Sequence, residues 1–230
     1  MNRISQLLIQ TKYLNWQEKL IYLSKNFKNS VFSTSFSIED QVITDFIIRQ
    51  DLNIKIFTID TGRLPAETHQ VWQSSIRKYG AKFKIYHPDQ ENIATYTSNN
   101  GTNAFYEDFD LRKQCCFIRK IEPLKRALKN QDLWISGVRK EHSANRKSKD
   151  FIEFDEELSL IKFYPLLEES IDDIWSYINK NSVPFNILYK QGYHSIGCAP
   201  CSRAISPGQD IRDGRWWWEN NNNKECGLHK

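Results

Sequence analysis

The feature that most constrains the fold is a strand–turn–helix unit that repeats along the chain. Val31–Phe32 reads as a short strand and Ser33–Ser37 as a hydroxyl-rich turn. Val42, Ile43, Phe46 and Ile47 then recur at helical spacing after about Glu39. The unit returns with Ile54, Ile56, Phe57 and Ile59, which stop at Asp60-Thr61-Gly62. Pro65 opens a helix that runs to Tyr79 and ends at Gly80. Phe83–Tyr86 predicts a third strand, Ser98–Asn103 an Asn-rich loop, Ile118–Leu128 a helix and Leu133–Ser136 a fourth strand. Ser170 with Asp173 has the spacing of a capping box at a late helix. Ile4–Leu23 is helical in pattern, and from Ser182 onward the periodicity gives way to a Gly- and Pro-punctuated tail, a lid or an arm.

Strands that alternate with helices imply parallel crossovers, so the expected fold class is α/β, a doubly wound, mostly parallel sheet flanked by helices with a mobile C-terminal tail. Residues 1–205 form the expected α/β domain and residues 206–230 the tail. Ligands of such sheets bind beyond the carboxyl ends of the strands, which brings Ser33–Ser37, Asp60–Arg63, His87 and Gly137–Arg139 toward one place.

A chain of 230 residues with 40% apolar content can bury one substantial core. Its net charge of +4 suits a small anionic ligand better than nucleic acid, which calls for a stronger basic stripe. No apolar run approaches the roughly 20 residues of a membrane span. Met1–Lys28 mixes Asn, Gln, Lys and Glu among its apolar positions and is no signal peptide, so the expected compartment is the cytoplasm. Five cysteines in a reducing compartment point to metal binding or redox chemistry rather than disulfides.

Five groups of residues carry chemistry. The Ser33-Thr34-Ser35-Phe36-Ser37-Ile38-Glu39-Asp40 turn offers N–H and O–H donors at a helix N-terminus, where an anion is favoured. It lacks the Gly-Lys pair of a Walker loop, and an ordinary helix cap would use the same residues. Asp60 in Asp60-Thr61-Gly62-Arg63 can accept hydrogen bonds from a ribose or a base amine, and Gly62 lets the chain approach a ligand closely; a plain strand-to-helix turn is the alternative. Cys115-Cys116 and Cys198-Ala199-Pro200-Cys201 together supply four thiolates, a set for zinc or an iron–sulfur cluster. Adjacent cysteines are awkward in a closed tetrahedral zinc site, which favours the cluster. Cys226, followed by Gly227, lies on a terminal segment where a mobile thiolate could reach a substrate and then a partner. Cations follow the first cysteine pair (Arg119, Lys120, Lys125, Arg126), the fourth strand (Arg139, Lys140, Arg146) and the second pair (Arg203, Arg212, Arg215). Such clusters serve anionic substrates. Trp216-Trp217-Trp218 could stack on a base or pack the tail onto the body.

In this order the segments resemble the adenylyl-sulfate reductases, the plant- and bacterial-type sulfonucleotide reductases with an adenine nucleotide alpha hydrolase-like fold. The matching pieces are Ser33–Asp40, Asp60–Arg63, Cys115-Cys116 with Arg119–Leu124, Ser136–Arg139, Ser195–Cys201, Gly214–Glu219 and Glu225–His229. Ser37 stands where that family often has Gly, and His142 where Gln is common. The resemblance implies that the Cys226 thiolate attacks the sulfur of adenylyl sulfate, expels AMP and carries a thiosulfonate. Thioredoxin or glutaredoxin then releases sulfite, a step of sulfate assimilation toward cysteine. It implies a 4Fe–4S cluster on Cys115, Cys116, Cys198 and Cys201. It also implies substrate contacts from Ser33, Ser35, Phe36, Asp60, Thr61, Gly62, Arg63, Lys120, Gly137, Arg139, Arg212, Arg215 and His229, with Lys120 linking cluster and substrate charge. A homo-oligomer is compatible with it. One rival is the relative that reduces the 3′-phosphorylated nucleotide, which usually lacks both cysteine pairs, or an enzyme that accepts both substrates. Another is a zinc-stabilised nucleic-acid-binding module, which leaves Cys226 and the Ser-rich turn unexplained.

Overall fold

The computed structural model describes residues 3–142, 146 and 148–219. Six strands form one sheet: β1 (Ser30–Ser33), β2 (Lys55–Ile59), β3 (Lys84–Tyr86), β4 (Leu133–Ile135), β5 (Ile152–Asp155) and β6 (Leu160–Phe163). Their order is β3-β2-β1-β4-β6-β5. β1 pairs in parallel with β2 and β4, and β4 with β6, whereas β5 pairs with β6 antiparallel. The chain winds outward from β1 to β3, returns to β4 beside β1, and continues the other way. This is the doubly wound, mostly parallel sheet expected from the alternation, with its switch point between β1 and β4.

The helices are α1 (Arg3–Thr11), α2 (Trp16–Asn26), α3 (Ile38–Arg49), α4 (Ala66–Tyr79), α5 (Gln90–Asn100), α6 (Phe109–Cys116), α7 (Glu122–Leu128) and α8 (Ile171–Asn181), with a π-helical turn at Phe117–Ile121. The chain divides into two compact units. The first comprises Met1–Thr58, Thr68–Lys84 and Leu128–Asn186, and the second Ile59–Glu67, Ile85–Ala127 and Ile187–Lys230. The described part of the expected tail, residues 206–219, falls in the second unit.

The first unit holds the sheet centre. Phe32, Leu133, Ile135 and Phe163 are fully buried, as are Leu20, Leu23 and Ile43 from the helices. Central parallel strands covered on both faces read as continuous apolar runs, and burying each such side chain contributes about 1.5–3 kcal/mol. The second unit is poorer in regular structure and carries α5, α6, the π-helical turn and a short 3-10 turn at Ala199–Cys201.

Several boundaries differ from the sequence expectation. The helix expected over Ile4–Leu23 is two helices. Asn15 and Glu18 exchange backbone-to-side-chain hydrogen bonds of 2.9 Å, a capping box that starts α2 afresh. The helix expected at Ile118 begins at Phe109, where Asp108 Oδ1 caps the N–H groups of Asp110 and Leu111 at 2.8 and 3.1 Å. The cysteine pair therefore ends a helix. α5 occupies the stretch before and into the expected Asn-rich loop, and the β5–β6 hairpin was not foreseen. Ser170 and Asp173 form the capping box that the sequence suggested. Among the described residues no helix is long and apolar enough to cross a membrane.

Candidate active site

In the first unit the turn after β1 is organised around one carboxylate. Asp40 Oδ2 accepts hydrogen bonds from Ser35 N at 2.6 Å and Ser35 Oγ at 2.7 Å. Ser37 Oγ caps α3 by accepting from Asp40 N at 3.2 Å. Ser33 Oγ accepts from Trp134 Nε1 at 2.8 Å. Phe36 adopts φ +60°, and its ring is buried against Trp72 and Phe83, with centroids 5.3 and 5.4 Å away. The Phe36 N–H donates to Thr34 Oγ1 at 3.1 Å. Burial pushes the Asp40 carboxyl up to about 6, with the two Ser35 bonds opposing.

The turn after β4 packs on the same helix start. A Cβ at Gly137 would stand 2.3 Å from Asp40 Oδ1 and 3.1 Å from Glu39 Cβ, so this position admits only glycine. Arg139 is buried, its Nε 2.9 Å from Glu39 Oε1, and it also pairs with Glu141. A direct contact between Arg139 and a substrate anion requires exchange with Glu39. Glu39 and Asp40 were absent from the expected binding set. The signal for them was an acidic pair in the first turn of a helix that opens with a hydroxyl-rich loop.

In the second unit the segment after β2 meets the second cysteine pair. Thr61 Oγ1 lies 3.3 Å from Cys198 Sγ, and Ala199 N donates to Arg63 O at 2.7 Å. Asp60 Oδ1 accepts from Gly62 N at 2.9 Å. Gly62 has φ +68°, with Arg119 Nη1 3.5 Å from where its Cβ would be. Arg119 Nη1 donates to Thr61 O at 2.7 Å. Arg63 donates to Asn103 Oδ1 at 3.3 Å and to Thr102 O, and stacks over Phe105. His87 is exposed, and its carbonyl accepts from Arg126.

Cys115, Cys116, Cys198 and Cys201 line one pocket with Arg63, Arg112, Arg119 and Lys120. None of the four is joined in a disulfide. Burial raises the Cys115 thiol, with the Arg119 charge opposing and that of Cys198 reinforcing. Burial and the Cys198 charge push Cys201 up to about 11, against Lys120 and Arg215. Arg215 Nε donates to Cys201 O at 2.9 Å, and its guanidinium fills the space beside Gly197, where a Cβ would lie 2.3 Å from Nη2. Arg215 Nη2 and Trp216 Nε1 are buried without a hydrogen-bond partner among the described residues. Trp216 is fully buried in a cluster with Phe105, Cys198 and Cys201, under the guanidinium groups of Arg112, Arg212 and Arg215. It therefore packs the tail onto its own unit. Cys226 and His229 lie outside the described residues.

Residues 29–204 match the phosphoadenosine phosphosulfate reductase domain. The chain is 46% identical to an adenosine 5′-phosphosulfate reductase of Allochromatium vinosum over 213 residues, which cover 93% of this chain and 83% of that protein. It is 43% identical to the enzyme of the same name from Neisseria meningitidis serogroup A over 227 residues, 98% and 93% of the two chains. The fold matches the crystal structure of phosphoadenylyl-sulfate reductase from Candida auris with a TM-score of 0.76 at 27% identity, over 89% of this chain and 98% of that one. At 13% identity and a TM-score of 0.57, the Candida glabrata FMN adenylyltransferase shares the fold alone, over 95% of this chain and 78% of that one. Sheet topology, paired cysteines and relatedness along nearly the whole chain agree: this protein belongs to the phosphoadenosine phosphosulfate reductase family.

Proposed function

We propose that this chain is an oxidoreductase that reduces adenylyl sulfate, the substrate named for its adenosine 5′-phosphosulfate reductase relatives, to sulfite and AMP in sulfate assimilation toward cysteine. The observation that carries the reading is the convergence of two distant cysteine pairs on one cation-lined pocket, in a chain 43–46% identical to enzymes of that name. A structural zinc module fits less well. Adjacent Cys115 and Cys116 are awkward in a closed tetrahedral zinc site, and a zinc module leaves Cys226 and the Ser-rich turn without a role.

The pocket residues fit a 4Fe–4S cluster. Four thiols surround it, four cations line it to balance thiolate charge, and Arg215 Nη2 and Trp216 Nε1 are N–H donors awaiting acceptors. Cys115, Cys116, Cys198 and Cys201 would hold the group. When bound, it supplies a fixed charge centre and cross-links the end of α6 to the Cys198–Cys201 turn.

Cys226 is the nucleophile in this reading. Its thiolate forms an S–S bond to the sulfate sulfur, the S–O bond to the AMP phosphate breaks, and AMP leaves with the electron pair. Arginines stabilise the departing oxyanion. A thioredoxin or glutaredoxin dithiol supplies two electrons, is oxidised to its disulfide, and frees sulfite from Cys226. Ser33, Ser35, the Phe36 backbone, Gly137 and Arg139 form the binding set of the first unit. Asp60, Thr61, Gly62, Arg63, Lys120, Arg212, Arg215 and His229 form that of the second. The cytoplasm, where thioredoxins keep thiols reduced, is the compartment this chemistry needs.

The test is anaerobic purification, a visible spectrum, and a sulfite assay with adenylyl sulfate and thioredoxin. A brown protein that releases sulfite meets the reading. A colourless, zinc-containing protein without turnover overturns it.

A further inference from the structure

A buried ion pair in the second unit joins the helix that bears the cysteine pair to the last described residue of the chain, and the proposed chemistry uses its arginine only as one of four cations beside the cysteines and its glutamate not at all. Arg112 stands one turn before Cys116 on α6, and Glu219 ends the Trp216–Trp218 run. Arg112 Nε donates to Glu219 Oε1 at 2.7 Å and Nη2 to Oε2 at 2.6 Å. The two side chains are only 3% and 8% exposed. The same guanidinium hydrogen-bonds Cys116 and lies 4.8 Å from the ring centroids of both Phe109 and Trp216.

A two-bond fork sets distance and orientation together, which a single contact does not. Rings on Arg112 hold its plane, so Glu219 meets a cation that is already aimed. Burial on both sides means that neither charge can be satisfied by water if the other leaves. Cys226 is seven residues beyond Glu219, and seven residues of fully extended chain span at most about 25 Å. A firm root narrows the volume that such a segment explores and raises the effective concentration of its thiol at the substrate.

We propose that Arg112 is a positioning residue that pins Glu219 to the cysteine-bearing helix and so gives the segment carrying Cys226 a fixed root. The inference rests on Cys226 as nucleophile, and it concerns the turnover step rather than nucleotide affinity.

The test uses the full-length, iron-loaded protein with Glu219→Gln, which removes the charge at constant size, and Glu219→Asp, which keeps it. In Glu219→Gln, iron content and the KM for adenylyl sulfate stay within about twofold of wild type while kcat falls at least about tenfold. Trypsin cleavage after Lys224 accelerates in the same variant, and Glu219→Asp recovers most of both effects. Wild-type kcat and cleavage rate in Glu219→Gln would overturn the inference. So would loss of iron or a raised KM in step with kcat, because that pattern marks a purely structural pair. Turnover that survives Cys226→Ser would instead sink the proposed function, and the trypsin comparison still reports on the tether.

Discussion

Cys226→Ser is expected to abolish sulfite release while nucleotide binding and iron content hold, since this cysteine is separate in sequence from the four thiols of the pocket. Sulfite formation by the purified variant would remove Cys226 from the mechanism. Cys198→Ala is expected to lose iron and activity together, because one of four thiolates is gone, and iron analysis decides it. Asp40 is the residue whose environment says most about pH. Its carboxyl rises from 3.8 to about 6 in the folded protein because burial disfavours the charged form. The folded state thus binds the Asp40 proton more tightly than the unfolded chain does. This contribution to stability is fully present below pH 3.8 and is lost as pH rises through about 6. Asp40→Asn keeps an acceptor for Ser35 and removes the titration. Between pH 4 and pH 7 its melting temperature is expected to drift less than that of wild type, by an amount on the order of a few kcal/mol of linked stability. Parallel melting curves for the two proteins would show that Asp40 does not titrate in this range.

Among the elements, those announced by apolar periodicity stand where the sequence placed them: β1, β2, β4, α3, α4 and the capped start of α8. Those that escaped had a physical reason to. α5 reads GlnGluAsnIleAlaThrTyrThrSerAsnAsn and buries Tyr96 alone, so there is little apolar stripe to find. Its signature is the Asp89 side chain, which accepts from Asn92 N at 3.0 Å. β5 and β6 form an antiparallel edge hairpin without a helix between them, which breaks the repeat used to recognise the others. The break between α1 and α2 depends on Asn15, and its capping box makes a clean test. Asn15→Ala should cost about 0.5–2 kcal/mol and lower the melting temperature by a few degrees. An unchanged melting temperature would mean that tertiary packing, rather than the cap, separates the two helices.

At the scale of the whole molecule, the sequence and the relatives favour adenylyl sulfate over its 3′-phosphorylated counterpart. A 3′-phosphate adds close to two negative charges at neutral pH and needs cations of its own. Two cations available in sequence are already engaged within their own units. Arg139 is paired with Glu39 and Glu141, and Arg63 donates to Thr102 O and Asn103. Adenylyl sulfate is therefore expected to win in kcat/KM by at least about tenfold, roughly 1.4 kcal/mol of transition-state binding. A side-by-side assay of both nucleotides with thioredoxin measures it, and equal efficiency would show that another basic residue serves the extra phosphate.

The sequence by itself determined the strand–helix alternation and with it the doubly wound sheet, because apolar periodicity is a local property that each segment carries alone. It also determined the inventory of reactive groups: four paired thiols, a cysteine near the end, and the cations among them. Tertiary structure alone decided how those groups are used. The spacing of Cys115-Cys116 and Cys198–Cys201 permits a shared pocket, but only packing folds the 81 residues between Cys116 and Cys198 so that both pairs reach it. Ser35 could offer its donors to a ligand until Asp40 took them, and Arg139 was a free cation on paper until Glu39 was buried against it. Partners that lie far apart in sequence, or that compete for the same donor, are chosen by burial and geometry, and these exist only once the chain has folded.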